Sequence, residues 1–299
     1  MSLVRLPYSE IIARLHAFDS YLVSLGLRRG PDRLRQLIRC VEQCEEARQK
    51  GQMEFLQQRP DVEDLVWSLV EGTEFACIYR GVQGYNPAVI KSLMQKALRG
   101  PLHPRLEAHH NSSNTARNTA FELRLGASLL ARGAEVILGD QADLVVNHEG
   151  SRVFIECKRP FSHQSIRKHV REARRQLKRR LDADPHPLKA GIVAISVSKA
   201  ANPGSCLLFA RNSDALRDRL SNDIISFHKQ HSADYDRLVD LRLIGILYHL
   251  FTPAYVRSDQ LLTAAGETVV FLSGSAVQTI FPISDGQALK SLLSGALQS

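Results

Sequence analysis

The sequence lacks what would tie it to a membrane, a secretory route or a structural metal. Its longest strongly apolar run, Leu243 to Phe251, covers nine residues. A helix needs roughly 20 apolar residues to span a bilayer. The N-terminus, MSLVRLPYSE, has no charged-then-apolar signal pattern. The five cysteines are odd in number and form no CxxC pair, which argues against a disulfide framework or a zinc ribbon. No segment repeats, and the first hundred residues carry no catalytic motif. The expectation is a cytoplasmic protein with no membrane contact.

What is present is an ordinary globular composition with unevenly placed charge. The chain has 299 residues, 44% apolar and 23% charged, enough for a sizeable core. The net charge is +8, and residues 101–181 hold 15 basic against 8 acidic side chains. The flanking segments are close to neutral. A locally basic surface attracts polyanions, of which nucleic acid is the commonest. A merely solvated basic face is the alternative reading.

Residues 1–100 read as helices. PYSEIIARLHAFDSYLVSLGL has helical spacing and Ser9 as a cap candidate. PDRLRQLIRCVEQCEEARQKG opens with proline and closes at Gly51. Cys40 and Cys44 stand one turn apart and read as packing residues. Residues 101–113 read as a linker rich in Pro, Asn and Ser, with His109-His110 in a polar loop. Residues 114–299 change pattern. A helix from about Thr115 to Arg132 precedes a strand, EVIL, then a hairpin, QADLVVNHEGSRVFIECKRP. A long helix from about Ser162 to Leu181 and a strand, AGIVAISVS, follow. A strand near Leu207, a helix from about Asp214 to His228, and strands LRLIGILYHL and ETVVFLSG complete the chain. The order predicts an α/β fold: a helical region, then a domain with a central mixed β-sheet flanked by helices.

The hairpin carries charges that a β-core normally excludes. In RVFIECK, Arg152, Phe154, Glu156 and Lys158 share one face, and Val153, Ile155 and Cys157 the other. A two-residue turn at Glu149-Gly150 sets His148 against Ser151 and Asp143 against Glu156. Glu-Gly is a weak turn signal, so a one-residue slip stays open. Opposed carboxylates, with Cβ atoms roughly 5 Å apart, destabilise a sheet. Burial raises that cost. A hard divalent cation offsets it. Lys158 could hold or activate a water beside such a cation, and these are the parts for phosphodiester hydrolysis. An ordinary surface salt bridge of Lys158 with Asp143 or Glu156 would explain two of the three charges.

Two helices add to this. The Thr115–Arg132 helix bears one apolar stripe of Ala116, Ala120, Leu123, Ala127 and Leu130, and another of Phe121, Leu125 and Leu129. Glu122 lies between them, with Gly126 one turn on leaving room. It reads as a third metal-binding acid, or as a partner of Arg124 or Arg117. The long helix has a core seam of Ile166, Val170, Ala173, Leu177 and Leu181. Beside it Arg167, Arg171, Arg174 and Lys178 form a stripe suited to phosphates. Gln176 is on the same helix.

In FELRLGASLLARGAEV, QADLVV and VFIECKRP, followed by a basic helix, residues of about 112–200 resemble the PD-(D/E)XK nuclease superfamily. That family has the restriction-endonuclease-like fold. The E-x-K is Glu156-Cys157-Lys158 and the upstream acid is Asp143. Ala142 stands where proline is usual, and Arg180 where exonuclease-type members carry tyrosine four residues after a glutamine. The resemblance implies a Mg²⁺-dependent nuclease (Mn²⁺ as substitute) acting on DNA, with an endonuclease more in keeping than an exonuclease. Asp143 and Glu156 would bind the metal, with the Cys157 backbone carbonyl and Glu122 completing the set. Lys158 would position the attacking water. Duplex cutters of this kind often pair two chains, so a homodimer is one expected state. The helices of 1–100 could recognise a substrate or a protein partner, and DNA defence or repair is the role by analogy. Two other readings remain: a catalytically inactive nucleic-acid-binding module, and an interaction adaptor built on the N-terminal helices.

Overall fold

Helices precede every strand. The computed structural model of the chain describes residues 6–27, 32–53, 59, 61–100, 113–139, 142–148, 150–204, 206–236, 242–273 and 289–294. Helices α1 (Tyr8–Ser24), α2 (Asp32–Gln49), α3 (Val62–Val82) and α4 (Pro87–Ala97) come from the first hundred residues, as their apolar spacing predicts. The expected cap at Ser9 is corrected: Pro7 is the N-cap and Ser9 lies inside the helix. Proline has no N–H to leave unsatisfied at a helix start. Asn86 caps α4, its side-chain oxygen accepting the Ala88 N–H at 3.0 Å. Of the expected 101–113 linker, residues 101–112, including His109 and His110, lie outside the described residues.

Helix α5 (Ser113–Leu130) leads into β1 (Glu135–Leu138), β2 (Leu144–His148) and β3 (Ser151–Lys158). Helix α6 (His163–Ala183) connects β3 to β4 (Lys189–Ser196), and a short turn of helix, α7 (Ser198–Ala201), leads towards β5 (Leu208–Ala210). Helix α8 (Ser213–Asp236) runs well beyond its expected end at His228 and returns the chain to β6 (Leu243–Val256). Strand β7 (Leu261–Leu272) closes a long antiparallel hairpin with β6. Both strands are longer than their apolar runs predict. Each is extended by pairing with the other, from Gly245↔Leu272 to Val256↔Leu261. Pro253 falls between the β4 and β5 pairings of β6, where a strand tolerates a missing donor.

The strands form one mixed sheet in the order β1-β2-β3-β4-β6-β5, with β7 on the far side of β6. β1, β2 and β3 are antiparallel, and β3, β4 and the first half of β6 are parallel. Alternation along each strand divides the core in two. Val153, Ile155, Ile192 and Leu247 face α1–α5, whereas Phe154, Val193, Ile195 and Tyr248 face α6 and α8. The N-terminal helices therefore share a core with the sheet. A Cβ on Gly81 of α3 would lie 2.0 Å from the Ala127 carbonyl oxygen of α5, so glycine is what lets these helices touch. The Tyr8 hydroxyl donates to the Leu262 carbonyl, and Tyr85 accepts the Leu138 N–H at 2.9 Å. Among the described residues, no helix is long and apolar enough to cross a membrane.

Candidate active site

The β2–β3 ladder runs from Leu144↔Ile155 to His148↔Ser151, the register that a two-residue turn requires. Gly150 has a φ of +75°, and Glu149 lies outside the described residues. The next pair in this register is Asp143 with Glu156. Asp143 Oδ2 accepts the Cys157 N–H at 2.8 Å. Glu156 points into the α6 side of the sheet, where it is fully buried. There Lys158 Nζ lies 3.2 Å from Glu156 Oε2, and Arg180 of α6 forms an ion pair with Glu156 Oε1.

This corrects two expectations. The Lys158 salt bridge exists, but on a buried face rather than a solvated one. Arg180, read from sequence only as a missing tyrosine, is a direct partner of the E-x-K acid. A charge without water needs such partners, since an unpaired buried carboxylate is among the costliest groups in a fold. Helix α6 runs back along β3, so its face towards the strand presents His169, Gln176 and Arg180 at helical spacing. Burial and Lys158 lower the His169 pKa, partly offset by Glu172. Gln176 is half-buried, and its side-chain oxygen has no hydrogen-bond partner.

Glu122 is half-buried on α5. Burial, and next the Asp143 carboxylate, push it up to about 8, against a smaller pull from Lys158 and Lys96. Arg117 and Arg124, the two alternative partners of Glu122, make contacts with other residues. Arg117 Nε donates to Glu71 at 2.6 Å and Arg124 to Ser128 at 3.0 Å. The gap at Gly126 is filled too: its position nearly touches Leu138 and Leu144, which brings α5 tight against β1 and β2. Burial raises the Cys157 thiol well above its ordinary range, with Asp143 and Glu122 adding to it. Cys157 thus offers the site its backbone rather than a thiolate.

Among the described residues, no group of three or more His, Cys, Asp or Glu side chains stands close enough to hold one ion. The acids share their cations instead: Lys158 contacts Glu156 and also acts on Glu122, and Arg180 pairs with Glu156 and also acts on Asp143. The donor set still fits a hard divalent cation at one place. Glu122 and Asp143 are oxygen donors whose neighbouring charges are costly on buried ground, and the Cys157 backbone adjoins them.

The expected nucleic-acid stripe is exposed at Arg167, Arg171 and Lys178 and half-buried at Arg174. A shallow groove of about 540 Å³ follows it, lined by Arg167, Arg171 and Arg175 among others. Comparison with protein-family models, with curated proteins and with solved structures found no match for this chain.

Proposed function

We propose that the chain is a Mg²⁺-dependent nuclease, Mn²⁺ substituting, that hydrolyses phosphodiester bonds in DNA. The observation that carries this reading is the hairpin: its register and the Asp143–Cys157 hydrogen bond join Asp143, Glu156 and Lys158 at the end of two adjacent strands. Asp143 and Glu122 would hold the cation, with the Cys157 carbonyl beside them and Glu156 joining once Arg180 releases it. The cation would supply charge neutralisation at the phosphate and a more acidic water. Lys158, which also contacts Glu156, would donate a hydrogen bond to the attacking water and orient it. The exposed arginines of α6 hold the phosphate backbone in place. This assignment suits DNA defence or repair in the cytoplasm.

A second reading is favoured by one fact. Glu156 is already neutralised by Lys158 and Arg180, as suits a nucleic-acid-binding module without catalysis. One experiment separates the two. The purified chain is incubated with plasmid and linear DNA in Mg²⁺, in Mn²⁺ and in EDTA. The nuclease reading expects divalent-dependent cleavage that Lys158→Ala and Asp143→Asn abolish while salt-sensitive DNA binding persists. DNA binding without cleavage in either metal would leave the binding module. Cleavage that survives both substitutions would refute this site.

A further inference from the structure

A second polar cluster lies across the chain from Glu122 and Lys158. Phe121 and Arg159, the sequence neighbours of those two residues, line a crevice between α3, α5, the carboxyl end of β4 and the middle of β6. Its enclosed part is about 50 Å³. The carboxyl ends of parallel strands are where open α/β sheets take their ligands.

The chemistry of the crevice narrows what could enter. His249 forms its floor, only 2% exposed, between Phe121 at 5.8 Å and Phe251 at 5.7 Å, both nearly parallel to it. Nδ1 lies 3.3 Å from Thr268 Oγ1, and Nε2 is buried with no hydrogen-bond partner among the described residues. Burial and the nearby Arg124 hold this imidazole neutral, lowering its pKa to about 3. A buried polar atom left unpaired calls for an explanation, and a ligand is one. A metal ion is disfavoured because Arg117 and Arg159 line the same space and Arg124 is close. A phosphate is disfavoured because Arg117 is already engaged by Glu71 and the Glu74 carboxyl lines the same space. A purely apolar group would leave Nε2 unmatched and set hydrocarbon against the Glu74 carboxyl. What remains is a flat, uncharged group with donors and acceptors on its edge and a face for aromatic contact.

We propose that this crevice is a nucleobase pocket, taking the edge of one base of the substrate beside the cleaved phosphate. The proposal rests on the nuclease reading for the word substrate, and on the crevice alone for the base. The enclosed volume admits an edge rather than a whole nucleoside. The base would bond His249 Nε2 and Glu74 with its edge and lie against the aromatic rim with its face. A base reaches such a pocket only from a single strand, or by leaving the duplex stack.

The test uses a built-in reporter. Trp67 is the chain's single tryptophan and lines the crevice. Its fluorescence is followed while the full chain is titrated with adenosine, guanosine, cytidine and thymidine, and separately with inorganic phosphate, without metal. The expected result is a saturable change with at least one nucleoside, none with phosphate, and about tenfold weaker binding in His249→Ala, the loss of one hydrogen bond. Melting curves check that the variant is folded. If it is not, Glu74→Gln replaces it, and an altered ranking of the four nucleosides is expected. No saturable change with any nucleoside would overturn the proposal, as would an equal response to phosphate or indifference to both substitutions. The cleavage assay fails or succeeds independently. Nucleoside binding without cleavage keeps the pocket and removes the nuclease, and cleavage without nucleoside binding does the reverse.

Discussion

Glu156 is the residue on which catalysis and simple binding part company. It is fully buried, and Arg180 and Lys158 supply its counter-charge. Arg180→Ala leaves Lys158 alone to do so, with an expected loss of up to about 3 kcal/mol, the scale for breaking a buried ion pair. The urea midpoint in metal-free buffer measures it, and an unchanged midpoint would mean that the pair contributes nothing. His249 makes a pH prediction. Its folded pKa of about 3 lies below the ordinary 6.5, so between those values the unfolded chain binds the extra proton. The His249 contribution to stability should therefore fall as pH drops below about 6.5, by roughly 2 kcal/mol between pH 7 and 5, against an opposite contribution from Glu122, whose raised pKa favours the folded state as pH falls. The difference in stability between the unchanged chain and His249→Phe, measured by urea unfolding at both pH values, should shift by that amount, and an equal difference at both would refute the assignment. At this scale Asp143, Glu156 and Lys158 were legible in sequence, because strand alternation and a short turn dictate their register. Arg180 was not, since its contact depends on how a neighbouring helix lies across the strand.

Among the elements, α6 is the most directly encoded. Ser162 precedes it in a capping box with Ser165, and Ile166, Val170, Ala173, Leu177 and Leu181 are all buried as their spacing predicts. Burying that seam leaves Arg167 and Arg171 exposed on the adjoining face. Each phosphate contact by such a residue displaces counter-ions. The double substitution Arg167→Ala with Arg171→Ala should weaken DNA binding and reduce the slope of log K against log salt by about 2. Fluorescence anisotropy over a salt series reads that slope, and an unaltered one would place the nucleic acid elsewhere. Strands β6 and β7 were only half legible. The apolar run ends at Phe251, and the segment through Pro253 becomes a strand because β7 and β5 pair with it.

At the scale of the whole molecule, the apolar core on one face of the sheet joins the N-terminal helices to it. Glu71 of α3 lies at the joint, fully within it, between Arg33 at 2.8 Å and Arg117 at 2.6 Å. The two guanidiniums hold its pKa below the ordinary carboxylate value despite burial. Cutting residues 1–100 away would expose the α5 side of the sheet and strand Arg117 without its acid. A chain of residues 113–299 is expected to aggregate or to bind a hydrophobic dye strongly, unlike the full chain. A soluble, cooperatively melting fragment would show that the helical region is dispensable for folding.

The sequence by itself determined the local pieces: helices from apolar spacing, the hairpin register from strand alternation, and the exposed basic stripe from the seam beside it. Each depends on neighbours within a few residues, and that information is written along the chain. Only the tertiary structure decided which acids share a charge environment. Glu122 meets Asp143 across a helix–strand contact, Glu156 meets Arg180 across another, and His249 is enclosed by α3 and α5. Those encounters join residues far apart in sequence. They follow from packing two helical layers on one sheet, which no local pattern specifies.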